Sequence, residues 1–218
     1  LTVYVTDTTR DFERSRPGVE KTTAGFYNSS IEHIHAVTAP DRAIERQSSM
    51  PRHVRAMDAR TILFHEYAHH FLRANSRRIY PRWYNEGFAE FVSTATFSDE
   101  GIHVGMFTAN RAIWLNTGDW LRIDSFLKGE DQKGEALEDE DRAMFYAQAW
   151  LATHYMFNRP ERAAGFDPYC AALQDGGDPI GAFEPAFAVS PQDFDKELRE
   201  YKRKSIQIYL MPEEKVDY

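Results

Sequence analysis

The sequence predicts an α+β fold, with a small N-terminal mixed or antiparallel sheet followed by a mostly helical remainder. Three observations predict it. Leu1 to Val5, Ala24 to Tyr27 and Ile31 to Val37 are short, apolar-rich and bounded by turn-forming residues, as strands are. Val54 to Asn75 contains neither Pro nor Gly and is apolar on both sides of His65 and His69, which reads as a buried helix. Beyond Thr96 the chain becomes a succession of helical segments separated by Pro and Gly. A length of 218 residues suits one domain of two packed lobes, about 1–97 and 98–218.

Each element has a local reason. Leu1, Val3 and Val5 alternate with polar residues, the pattern of a half-buried strand. Asp7-Thr8-Thr9 can cap a short helix through Arg16, which Pro17-Gly18 breaks. Asn28-Ser29-Ser30 reads as the turn between the next two strands. His33 and His35 share one face of the third strand and read as solvent-facing or substrate-lining rather than as ligands. Residues 38–52 carry Pro40, Ser48, Ser49 and Pro51 and read as a loop ending near an exposed His53.

The later elements follow the same rules. Gly101 to Gly105 reads as a short strand or turn, Arg111 to Leu115 as a short helix, and Trp120 to Ile123 as the lead into a helix ending at Lys128-Gly129. Residues 129–141 hold seven acidic residues against one Lys and read as a mobile surface loop. Arg142 to Phe157 reads as a buried helix, Glu161 to Leu173 as another, and Asp178-Pro179 as the start of a third through Ala188. Ser190-Pro191 caps the last helix, and Ile206 to Met211 trails off extended.

Composition narrows the function. Hydrophobic residues make up 42% and aromatics 14%, enough for a sizeable core. The net charge of −8 argues against a nucleic-acid partner. A single cysteine, Cys170, excludes an internal disulfide. No apolar run approaches the length of a membrane span. No signal peptide is read from Leu1 onward, which says little about location.

Chemistry concentrates in His65-Glu66-Tyr67-Ala68-His69. Two imidazoles four residues apart lie about one turn from each other on one helix face, where both can bind a single metal ion. Glu66 sits on a neighbouring face, close enough to hold a water at that ion. The plainer reading is an amphipathic helix that happens to carry histidines. A second segment, Asn85-Glu86-Gly87-Phe88-Ala89-Glu90, follows Pro81 and places Glu86 and Glu90 on one helix face. Two His and one Glu form a zinc set that leaves a fourth position for water. A closed structural zinc is disfavoured, because such sites use Cys and His throughout. His70 points about 100° away from His69 and reads as a neighbour, not a ligand. Arg73, Arg77, Arg78 and Arg82 read as a solvated basic linker or, alternatively, as a site for a substrate carboxylate.

These two segments resemble the gluzincin metallopeptidases, which include thermolysin-like enzymes and the aminopeptidase N group, and most closely the peptidase MA-like domains of bacterial proteins. Sixteen residues separate His69 from Glu86, slightly fewer than the better-known gluzincins use. The resemblance implies a thermolysin-like catalytic core holding one zinc ion on His65, His69 and Glu86, with Glu66 as general base. It implies that Glu90 is a carboxylate orienting a ligand histidine. It also implies a tyrosine near the start of the helix after 142, facing the zinc as an oxyanion donor. Tyr146 takes that position, and His154, two turns on, is a second candidate. In the gluzincin plan an edge strand pairs with the extended substrate, and Ile31 to Val37 is the candidate edge. No Gly-rich exopeptidase motif occurs in residues 38–60, which favours endopeptidase over aminopeptidase action on a peptide or protein substrate. A periplasmic or other extracytoplasmic location is favoured. The alternatives are a zinc amidase acting on a cell-wall type of peptide, and a binding domain with a vestigial site.

Overall fold

The first element, β1 (Thr2–Val5), finds its partner more than thirty residues later. The computed structural model describes residues 2–6, 9–15, 17, 25–29, 34–38, 59–131, 133–204 and 206–211. After β1 come α1 (Thr9–Ser15), β2 (Gly25–Ser29) and β3 (Ile34–Thr38). β3 pairs in parallel with β1, Thr2 opposite His35, and antiparallel with β2, Gly25 opposite Thr38. Parallel neighbours need a crossover connection, and α1 lies in it.

The sheet corrects two expectations. Ile31 to Val37 is not an edge. Its described part is β3, the central strand of the order β1-β3-β2, with a ladder on each side. The edges are β1 and β2. Asn28 and Ser29 do not turn either. They continue β2 opposite His35 and Ile34, because ladder pairing overrides their weak strand preference. His33, His53 and residues 39–58 lie outside the described residues.

The long helix α2 (Ala59–Asn75) packs on β2 and β3, and its other side meets α3 (Arg82–Ser93). Pro81 stands just before α3 with extended backbone, so its fixed φ starts the helix. A hairpin of β4 (Thr96–Ser98) and β5 (Gly101–Val104) follows. The extended tail ends in β6 (Tyr209–Met211), which joins that hairpin antiparallel to β5 and completes a second three-stranded sheet. α4 (Ala109–Thr117) is capped by Thr108, whose hydroxyl accepts from Arg111 N–H. α5 (Ile123–Lys128) stops at Gly129, which takes the left-handed conformation at φ 71°.

Among the described residues between Gly129 and Glu138, local hydrogen bonds shape the turn. The Asp131 carboxylate accepts from the backbone N–H groups of Lys133 and Glu135 at 2.8 Å, and Leu137 is buried in the core. α6 therefore begins early, spanning Asp139–Phe157. The single helix predicted over 161–173 is two, α7 (Pro160–Ala163) and α8 (Phe166–Gln174). They part at Gly165, where a Cβ would lie 2.5 Å from the Ala186 carbonyl oxygen. Residues 178–182 form turns before a short α9 (Phe183–Phe187). Ser190 caps α10 (Pro191–Tyr201), its hydroxyl accepting from Asp193 N–H.

α6 is the axis of the helical layer. Phe145, Ala147, Ala149 and Leu151 are wholly buried, and Trp150 nearly so. One core joins Trp83 and Phe91 of α3 to Phe145 and Trp150 of α6 and Phe194 of α10. Burial of each such large apolar side chain contributes about 1.5–3 kcal/mol, and this holds α3 against α6. Among the described residues, no helix is long and apolar enough to cross a membrane.

Candidate metal centre

Two helices bring the predicted ligands together. α2 carries His65 and His69 one turn apart, and α3 carries Glu86 against them. The three facing atoms form a nearly equilateral triangle. His65 Nε2 lies 3.2 Å from His69 Nε2 and 3.3 Å from Glu86 Oε2, and His69 Nε2 lies 3.4 Å from Glu86 Oε2. Ligand atoms on a tetrahedral ion with bonds of about 2.0–2.1 Å stand about 3.3 Å apart. Glu86 Oε2 is buried and makes no hydrogen bond among the described residues. A buried carboxylate oxygen without a donor is costly unless something else satisfies it. The residues therefore fit a metal ion, and among the described residues they are the one group of three that can hold one.

Each imidazole has a polar neighbour behind it. His69 Nδ1 lies 3.2 Å from Asn85 Oδ1, and since an amide oxygen only accepts, Nδ1 carries the proton and Nε2 faces the triangle. His65 Nδ1 lies 3.4 Å from Glu90 Oε1. Glu90 is itself gripped by Arg111, whose Nε and Nη2 donate to Oε2 and Oε1 at 2.8 and 2.7 Å.

The electrostatics follow from this crowding. Burial pushes the His65 pKa down, but the Glu86 and Glu90 carboxylates outweigh it and raise it to about 10. Burial raises Glu86, yet His65 and His69 hold it well below the usual carboxylate range. Glu90 is opposed by burial too, and Arg111 brings it to about 2.

Glu66 lies beside His65 on α2, partly buried, and its charge adds to the upward pull on that imidazole. The Tyr146 ring of α6 stands 6.2 Å from the His65 ring. Burial and then the Glu86 charge push its phenol pKa well up, so the hydroxyl keeps its proton at neutral pH. His65, His69 and Glu86 thus meet at one point, and Glu66 and the Tyr146 ring lie near His65.

His154 is not. It is fully buried, with Nε2 2.8 Å from the Gln207 carbonyl oxygen and Nδ1 2.8 Å from the Tyr201 hydroxyl. Both ring nitrogens are engaged in tying α6 to α10 and the segment that leads into β6, so neither is left for an oxyanion. The arginines divide as well. Arg78 pairs with Asp167 at the surface, and Arg82 donates to the Gly129 carbonyl and lies over Phe145. Arg82 therefore serves packing rather than a substrate carboxylate.

Three contributors escape a reading by spacing. Asn85 adjoins the third candidate ligand but shows no role until His69 is placed beside it. Gly87 lets α3 cross α6. Arg111 is remote in sequence, although it is the lone charge in an otherwise neutral helix, and such a charge is usually paired when buried. The chain matches no family model, no curated protein and no solved structure.

Proposed function

We propose that the chain is a zinc-dependent peptide hydrolase of the gluzincin kind. The observation that carries this reading is the triangle of His65 Nε2, His69 Nε2 and Glu86 Oε2 around an otherwise unsatisfied carboxylate oxygen. Two imidazoles and one carboxylate, with no thiolate, suit zinc and leave room for water. A zinc ion held there supplies Lewis acidity, making water ionise near neutral pH and drawing charge from a carbonyl.

The chain's own residues do the rest. Glu66 takes the proton of the attacking water and returns it to the leaving amine. Tyr146, held protonated, donates to the oxyanion as it develops. Glu90 and Asn85 keep the two imidazoles turned toward the centre. β2 has β3 on one side, packs beside α2 and has no partner on its outer side among the described residues. It suits an extended peptide added as a further strand.

The test is cleavage of a mixed peptide library by wild type and Glu66→Gln, each assayed for bound zinc. The variant should keep its zinc and lose turnover by about 10²–10⁴-fold, the usual worth of a general base. Equal cleavage by both proteins would remove Glu66 from the mechanism.

A further inference from the structure

Arg111 is a buried cation, 8% exposed, in the first turn of α4. A guanidinium so enclosed needs a partner, and Glu90 supplies one through both oxygens. The two-pronged contact removes the carboxylate's freedom to rotate, which a single contact would not. Oε1, the oxygen that takes Nη2, is also the one 3.4 Å from His65 Nδ1. The same guanidinium does a second thing. Its carbon lies 5.0 Å from the centre of the Tyr146 ring, in cation–π contact. Arg111 therefore reaches the centre along two routes, through Glu90 to an imidazole and through a ring face to a phenol.

We infer that Arg111 is a positioning residue that fixes Glu90 behind His65 and the Tyr146 ring beside it, so that one guanidinium sets both the metal-binding imidazole and the phenol donor. This inference rests on the metal-centre reading above. It assigns Arg111 no contact with metal or substrate. An ion pair serving only to stabilise the fold would leave zinc affinity and the Tyr146 surroundings alone wherever the variant still folds.

The experiment uses Arg111→Met and Arg111→Lys in the full chain, both checked for native circular dichroism. Zinc affinity is read by competition with a chromophoric chelator. The Tyr146 surroundings are read from the ¹⁹F resonance of 3-fluorotyrosine placed at position 146. Loss of a group that orients a ligand lowers metal affinity about 10–100-fold, and Arg111→Met should fall in that range with a shifted resonance. Arg111→Lys keeps the charge but not the fork, so it should recover only part of the affinity. If Arg111→Met does not fold, Arg111→Lys decides by the same two readouts. Zinc affinity within twofold of wild type, or an unmoved resonance, in the folded variant overturns the double role. A wild type that takes up no zinc overturns the metal-centre reading instead, and this inference with it.

Discussion

Gly87 of α3 faces Ala149 of α6 so closely that a Cβ on Gly87 would stand 2.2 Å from the Ala149 carbonyl oxygen. The same Cβ would meet Thr153 Oγ1 at 2.2 Å. This crossing sets the depth at which α3 sits. Glu86, one residue earlier, meets the imidazoles of α2, and Tyr146, almost one turn before Ala149, arrives beside His65.

Gly87→Ala should therefore destabilise the protein. In an open helix the change would add about 1 kcal/mol of stability. Here it forces two backbones apart, and overpacking of this kind costs about 1–3 kcal/mol or more. Urea unfolding decides between the signs. A more stable variant would mean that the two helices do not cross this tightly.

Asn85→Ala should weaken zinc binding by about 10–100-fold while leaving the fold intact, since the lost amide oxygen is what orients His69. Chelator competition measures it. An affinity equal to wild type would show that His69 is oriented by something else.

His154 should make stability fall on acidification. Burial lowers its pKa in the folded protein, whereas the unfolded chain takes up a proton near pH 6.5. The unfolded state thus binds more protons, and stability present above about pH 6.5 is lost as the pH drops below it. Unfolding free energies at pH 7.5 and 5.0 should differ more for wild type than for His154→Gln. Parallel losses in the two proteins would exclude His154 as the source.

The candidate ligands are legible in the sequence because helical spacing is local. His65 with His69, and Glu86 with Glu90, are pairs four apart, and geometry on a helix follows directly from such a spacing. That Glu86 faces His69 across two helices follows from no local spacing, only from the donor chemistry of the two segments and the family likeness. What stayed hidden was set by distant contacts. β6 joins β5 across more than a hundred residues, so its tail looked merely extended. Ile31 to Val37 reads as an edge strand, and nothing local says that its described part has neighbours on both sides. Gly165 breaks a helix because Ala186 comes against it, which the sequence around 165 does not announce. Arg111 reaches Glu90 from α4, which packs on α6, and His154 is engaged by Tyr201 and Gln207, contacts that no local pattern announces.

Metal analysis by mass spectrometry, on wild type and His65→Ala purified without chelators or added metal, decides whether His65, His69 and Glu86 hold zinc. About one zinc ion per wild-type chain is expected, with its loss in the variant. Wild-type protein that holds no metal, even after zinc is offered back and excess removed, would contradict this assignment.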